Sequence, residues 1–366
     1  MNKLTKTLMA GVALLAATCV FAIPKGPCDT KKDICCEDIK PGPFAFSYAR
    51  DLGLACPRDF YIHADYLLMT AHQDGMDFAL IDTGTFADGI TPGEICGFGN
   101  ADKRWDWHSG VKVGLGFFLN HDAWNIDAEW MWLHIKENCS YSTTGNDYFV
   151  PLMGDANWAP NPLLAKKASA KWKCEYNTID FKLAHPYHIS RYLVASPNFG
   201  LRMAWIDQNL LYRYGGAFTT PDGVDGLRVK GHNDFWGVGT RAGFDSEWLL
   251  GSGVSIFGKA AAALLYGKFD TYQTDNLATD DADHMESIHK FYRIIPNMNI
   301  NIGLSWGKFF SKRKYLVSAK IAYEFHYWWN MNKWGKFYAP DPNSYDKTSR
   351  GDFSIGGLDF GLQVDF

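Results

Sequence analysis

The chain has 366 residues, of which 47 % are hydrophobic and 16 % aromatic, and it carries 35 glycines. A mean hydropathy of −0.21 excludes a bundle of membrane helices. A formal net charge of −4 at pH 7 argues against a nucleic-acid binder.

The first segment reads as a secretory signal peptide over residues 1–22. Lys3 and Lys6 supply a basic start, Leu8 to Phe21 an apolar core, and Val20-Phe21-Ala22 a compact cleavage site. A first membrane helix and a lipoprotein signal on Cys19 are the alternatives. The apolar run is short for the first, and Ala16-Ala17-Thr18 is a poor lipobox for the second. Residues 23–57 follow as a polar, cysteine-rich leader. Beyond Ala22 no run approaches the ~20 apolar residues of a spanning helix; the longest is Ala260 to Tyr266. An exported chain of this kind is free outside the cytoplasm or crosses a membrane as a closed β-barrel.

From residue 58 to 366 the dominant signal is period-two alternation, the signature of strands with one apolar and one polar face. It starts at Phe60 in FYIHADYLL. In RWDWHSGVKVGLGFF, Trp105, Trp107, Val111, Val113, Leu115 and Phe117 oppose Asp106, His108, Lys112 and three glycines. In AWNIDAEWMWLHI, Trp124, Ile126, Ala128, Trp130 and Trp132 oppose Asn125, Asp127 and Glu129. Further runs begin at Lys171 (KWKCEYNTIDFKL), Phe199, Phe235 and Val254. In MNINIGLSW, Met298 to Trp306 alternate with Asn299 and Asn301. In YLVSAKIAYEFHYW, Tyr315 to Tyr327 alternate with Lys320, Glu324 and His326. The last run, GGLDFGLQVDF, sets Leu358, Phe360, Leu362, Val364 and Phe366 against Asp359, Gly361, Gln363 and Asp365.

Many runs exceed the ~5–6 residues of soluble strands and suit tilted strands crossing a bilayer. Short connections (Asn120–Ala123, Leu250–Gly253, Lys308–Lys314) alternate with long polar ones (Thr83–Lys103, Glu137–Ala168, Gly215–Asn233, Asp270–His289, Lys333–Gly351). Outer-membrane barrels show this pattern, with the long loops outside the cell. The fold expected is all-β: a transmembrane, antiparallel, up-and-down β-barrel of about 12 strands, within about 10 to 16. A soluble β-sandwich or propeller array is the alternative. Trp105 and Trp107, Trp130 and Trp132, Tyr212 and Tyr214, and Trp328 and Trp329 sit at run ends and read as interfacial girdles. The closing strand reads as the signal recognised by outer-membrane assembly machinery, through Asp359, Gly361, Val364 and Phe366.

The polar face nominates the lining of a wet lumen: Lys112, Asp127, Glu129, Lys171, Lys173, Arg202, Arg241, Lys259, Lys320, Glu324 and Asp359. Charged rings of this kind set ion preference in pores, although mixed signs leave the preference undetermined. GVGTRAG at Gly237–Gly243 lies within a strand and lacks the helix that a phosphate loop needs. His108 and Ser109 point to opposite faces and cannot act as base and nucleophile. The acidic stretch Thr279–Ser287 lacks the ordered spacing of a calcium loop. No catalytic group, metal site or cofactor is expected.

The segments FYIHADYLLMTAHQDGMDFAL, WDWHSGVKVGLGFF with HDAWNIDAEWMW, and FKLAHPYHISRYLVASPNFGLRMAWIDQ resemble the Legionella-type major outer membrane protein family, whose members include MOMP-like proteins of environmental chlamydiae. The resemblance runs over about Phe60 to Phe366. It implies an abundant porin in the bacterial outer membrane, passing small hydrophilic solutes and ions by diffusion, in contact with lipid and lipopolysaccharide, with a homotrimer as its assembly. A disulfide-linked structural or adhesive barrel is the competing function. The cysteine-rich leader is a departure from the family.

Cys28, Cys35, Cys36, Cys56, Cys96, Cys139 and Cys174 remain after cleavage, in an oxidising compartment where disulfides are the default. Resemblance to chlamydial outer-membrane proteins implies links to other envelope proteins; intramolecular bridges are the other reading. Adjacent Cys35-Cys36 lacks zinc-site spacing.

Overall fold

The computed structural model describes residues 60–82, 92–98, 105–119, 124–153, 164–216, 226–277, 285–334, 336–337, 345–346 and 351–366. The signal-peptide and leader segments, with Cys28, Cys35, Cys36 and Cys56, lie outside these, as does most of the acidic stretch after Thr279. The strands in chain order are β1 (Phe60–Gln73), β2 (Asp77–Asp82), β3 (Pro92–Gly97), β4 (His108–Phe118), β5 (Asn125–Ser142), β6 (Tyr148–Pro151), β7 (Lys167–Ala184) and β8 (Tyr187–His188). They continue with β9 (Leu193–Gly215), β10 (Gly226–Gly251), β11 (Val254–Leu277), β12 (Met285–Phe310), β13 (Tyr315–Trp328), β14 (Lys336–Phe337), β15 (Tyr345–Asp346) and β16 (Phe353–Asp365).

Ten strands close an antiparallel barrel in the order β1-β4-β5-β7-β9-β10-β11-β12-β13-β16. The seam joins the first strand to the last, from Tyr61 opposite Asp365 to Gln73 opposite Phe353. Each of the ten strands pairs with a neighbour on both sides over its lower part, so the wall has no edge there, as a strand structure in lipid requires. The Phe366 N–H donates to Phe60 O at 2.9 Å, and the two rings lie 5.9 Å apart. The terminal aromatic thus fastens the seam at the end where the turns are short.

The count is ten where about 12 is expected. Ten lies within the expected range, and β2, β3 and β6 pair in the order β3-β2-β6 as a separate sheet, with β3 and β6 inside stretches that read as long connections. The connections are also shorter than they read in sequence, because the wall continues into them. β5 reaches Ser142, and β10 and β12 each run for 26 residues. About 9–11 residues cross a bilayer, so much of the wall stands clear of the lipid.

That extension makes the longer strands exchange their apolar and polar faces partway along. In β7 the lower outward residues are Ile179, Phe181 and Leu183, and the inward ones are Asp180 and Lys182. Higher up, Lys171 and Lys173 face outward and exposed, while Trp172, Cys174 and Tyr176 are buried inside. β5 does the same: Asp127 and Glu129 point inward below, Met131, Leu133 and Ile135 above. In β1, His63 and Asp65 give way to Leu67, Met69 and Ala71. Where the outer wall meets hydrocarbon, its outward face is apolar and the inside can be polar. Where the outer wall meets water, the outward face is polar and the inside packs as an ordinary core. Exposed Tyr66, Trp132, Trp236, Tyr266 and Tyr292 stud the outer wall around the crossover, where interfacial aromatics belong.

The inversion corrects part of the sequence reading. Trp105, Tyr212, Tyr214 and Trp328 are not girdle residues. Tyr212, Tyr214 and Trp328 are buried in the loop-end core, and Trp105 packs on it. Trp105 precedes β4 and stacks edge-on against Trp172 at 5.6 Å. Trp172 lies 6.1 Å from Phe353, and Phe78 of the cap sheet stacks on Tyr212 at 5.2 Å. Lys171 and Lys173 are not lumen residues, because they sit on the watered part of the outer face.

Replacing Trp172 by alanine should therefore cost about 3–5 kcal/mol, seen as a clear fall in the temperature at which the folded band converts to the unfolded one on gels. Lys171→Ala, one residue away on the other face, should move that temperature little, with a cost below about 0.5 kcal/mol. Equal effects would contradict the assigned phase of β7.

Candidate functional site

The polar part of the interior is built from residues that strand parity turns inward below the crossover. Lys112 on β4 is its centre. Its Nζ donates to Glu324 Oε2 at 2.6 Å and Asp359 Oδ2 at 2.9 Å, and lies 3.3 Å from Asp65 Oδ2. Lys320 adds a second cation, 2.8 Å from Asp65 Oδ2 and 3.4 Å from Asp359 Oδ2. The Asn301 amide donates to Glu324 at 3.2 Å and Asp359 at 2.9 Å, and His326 Nε2 bonds Glu324 Oε1 at 2.9 Å. Strands β1, β4, β12, β13 and β16 meet in this one cluster.

A second cluster lies across the interior. Arg202 Nε donates to Asp180 Oδ1 at 2.7 Å, and its guanidinium also engages Asn297. Arg241 Nε stands 3.4 Å from Asp180 Oδ2, and its Nη1 donates to Asn198 Oδ1 at 2.9 Å. Nearer the turn end, Tyr61 Oη donates to Asp127 Oδ2 at 2.6 Å, and Lys182 bridges Asp127 and Asp245 at 3.5 and 3.7 Å. His63 sits between Asp127 and Glu129 at 3.9 and 3.8 Å, close enough for the three to face a common point.

Glycines on neighbouring strands make room for this bulk. A Cβ on Gly116 would fall 2.0 Å from the Tyr61 ring, and one on Gly361 would fall 2.2 Å from both Asp65 and Lys320. Gly361 of the closing strand is thus required by the interior packing.

These groups are packed rather than bathed. Lys112 and Arg202 are each 2 % exposed and Asp359 is 0 % exposed. A lumen open to water at this height would leave such ends wet. The expected wet lumen is therefore closed at its waist by side chains, in keeping with a strand number not far above the eight whose interior side chains fill. Water-accessible space remains at the turn end, where a cavity of ≈ 210 Å³ is lined by Tyr61, Asp127, Lys182, Lys259, Lys320 and Glu247, among others. That is below the roughly 300–1,000 Å³ of typical small-ligand pockets.

Of the sequence-nominated lining residues, Lys112, Asp127, Glu129, Arg202, Arg241, Lys259, Lys320, Glu324 and Asp359 do point inward. Sequence reasoning missed Asp65, Asp180, Lys182, Asp245 and His63. Their signal was present: each sits at the parity of an inward neighbour, as Lys182 does relative to Asp180.

Outside the apolar belt, on the outer face just above Trp205 and Trp236, Asp207, His232 and Asp234 form another triad. His232 Nε2 bonds Asp234 Oδ2 at 2.8 Å. Burial and the neighbouring Asp234 charge push the Asp207 carboxyl up to about 6, and the bond to Asp234 raises the His232 imidazole.

The class defined by this fold and this interior is a closed β-barrel of outer-membrane type, with a belt for lipid, an ion-paired waist and a capped loop end. Residues 57–366 match the family profile described as the Legionella pneumophila major outer membrane protein precursor, and the chain belongs to that family. Its place is the bacterial outer membrane, which makes the turn end periplasmic and the loop end extracellular.

No curated protein matches the chain. Among solved structures it is similar to the outer membrane protease OmpT from Escherichia coli, with TM-score 0.45 and 10 % identity, covering 85 % of this chain and 98 % of that one. It is also similar to the Pseudomonas putida toluene transporter TodX, with TM-score 0.28 and 10 % identity over 84 % and 90 %. The anion-selective porin from Comamonas acidovorans gives TM-score 0.14 and 12 % identity over 84 % and 98 %. At these values no activity carries over.

Two results are expected. Lys112→Met, which leaves three carboxylates short of a cation, should cost about 3–5 kcal/mol. Adding Glu324→Gln and Asp359→Asn should recover most of that in the same gel-shift melting measurement. The second concerns pH. Asp207 holds its proton more tightly folded than unfolded, so its contribution is full below the ordinary value of 3.8 and is lost as pH rises through about 6. His232 acts in the same direction. Asp207→Asn should flatten the fall in barrel melting temperature between about pH 4 and pH 7.

Proposed function

We propose that this protein is a porin-type barrel, shut at rest, that passes small hydrophilic solutes and ions when its interior ion pairs rearrange. The observation that supports the reading is the buried cluster of lysines and carboxylates around Lys112. A barrel needing only mechanical stability gains nothing from charges there, because apolar filling of similar volume is often equally or more stable. Carboxylates outnumbering lysines around one point can exchange partners, since Asp65 and Asp359 each lie near both Lys112 and Lys320. Partner exchange opens a polar path from the periplasmic cavity upward. No reaction is catalysed in this reading. Lipid and lipopolysaccharide surround the belt, a homotrimer is the assembly, and the final strand, with Asp359, Gly361, Val364 and Phe366, is what the assembly machinery reads.

A second reading is favoured by the apolar core above the crossover, which must part before anything passes. Under it the protein is a structural or adhesive barrel of the envelope. Single-channel recording in planar bilayers separates the two. The porin reading expects infrequent, small steps from wild-type protein, and steps at least about tenfold more frequent from Lys320→Ala, with altered ion preference. A folded barrel silent in both forms would leave the structural reading standing.

A further inference from the structure

The extracellular cap carries a feature unrelated to conduction. Cys96 is the penultimate residue of the cap strand β3, and Cys139 points inward near the top of wall strand β5; both are buried thiols in this structure. The Cys139 Sγ lies 3.8 Å from the carbonyl oxygen of Gly97, the residue after Cys96, and the Tyr141 hydroxyl donates to the same oxygen at 2.9 Å. The wall therefore grips the cap at the residue next to Cys96. The two thiols also bear on each other's charge. The third described cysteine, Cys174, stands apart. It faces Ile135 on β5, while Cys139 faces Ala170; four residues of strand separate the levels by about 13 Å.

We propose that Cys96 and Cys139 become a disulfide that fastens the extracellular cap sheet to the barrel wall. The bond is set during export. The two thiols give up two protons and two electrons to a disulfide of an extracytoplasmic thiol oxidase, which leaves as its dithiol. One thiolate first opens that disulfide to a mixed disulfide, and the second then displaces it. The order of events follows from burial. Once the cap is seated, desolvation pushes the Cys96 thiol up to about 11, where it is a poor nucleophile, so bonding precedes seating. β2 follows β1 after residues 74–76, and among the described residues the sheet of β2 and β3 has only β6 as a further strand. A covalent tie at Cys96 adds to the wall hydrogen bonds that Gly97 and Phe78 of the cap accept. The inference is independent of whether the lumen conducts.

The test uses full-length protein extracted from outer membranes without reductant. It is denatured in iodoacetamide, digested and analysed by mass spectrometry, with and without prior reduction. The expected result is one linked species joining the peptides that carry Cys96 and Cys139, lost on reduction, with Cys174 alkylated throughout. Full alkylation of Cys96 and Cys139 before reduction would overturn the proposal. So would a link from either cysteine to the leader or to another chain. Limited proteolysis in the 83–104 segment gives a second readout. C96S and C139S should each raise cleavage there by roughly thirtyfold, and the double variant should match either single one. Additive effects, or effects of reductant on the double variant, would count against a bond between these two residues.

Discussion

A β-strand has two faces, and at any height only one neighbour of each face is water, lipid or packed protein. The wall strands here are long enough to meet lipid outside at one height and water outside at another. That single constraint fixes what the interior is made of. Beside lipid the outward positions are taken by Ile62, Val113, Ile126, Phe181 and Leu201, so the inside is free to be polar, and the charges placed there neutralise one another. Beside water the outward positions are taken by Lys136, Lys171 and Lys173, so the interior can be Trp172, Tyr176, Trp328 and Phe353.

The charged waist and the apolar head are therefore two consequences of one geometry. They make different demands. The head is an ordinary core, held by area removed from water. The waist is costly to build, since every buried charge loses hydration, and it holds only while its partners are complete. Lys112 has three carboxylates near it, and the two of these that also serve Lys320 bind the waist into a network rather than a set of pairs. Change at one member is felt across five strands, which is the property a closure needs if it is to open as a unit.

Much of this was legible in the sequence where a strand stays in one environment along the stretch read. MNINIGLSW and the closing GGLDFGLQVDF show clean parity, and their inward residues are those that alternation marks. The reading of KWKCEYNTIDFKL failed because the stretch spans the crossover. Its large apolar residues Trp172 and Tyr176 face the core, while Ile179 and Phe181, at the other parity, face lipid. Taking apolar to mean outward throughout placed Lys171 and Lys173 in the lumen. The ion pairs themselves were not legible, because Lys112 meets Glu324 and Asp359 over the closing seam at separations of 212 and 247 residues. Those contacts depend on how many strands close the wall and how they are staggered, and composition encodes neither.

The exchange of faces along a single strand gives the coding sequence an unusual kind of frame. In a strand with one greasy side, a one-residue insertion puts that side in the wrong place. In β7 the same insertion would place lysines against hydrocarbon and leucines against carboxylates at one height, and leave tryptophan facing water at another. Two opposite errors would arise from one codon. A one-residue insertion within the wall therefore disturbs two environments at once, whereas the same insertion in a connection between strands disturbs neither.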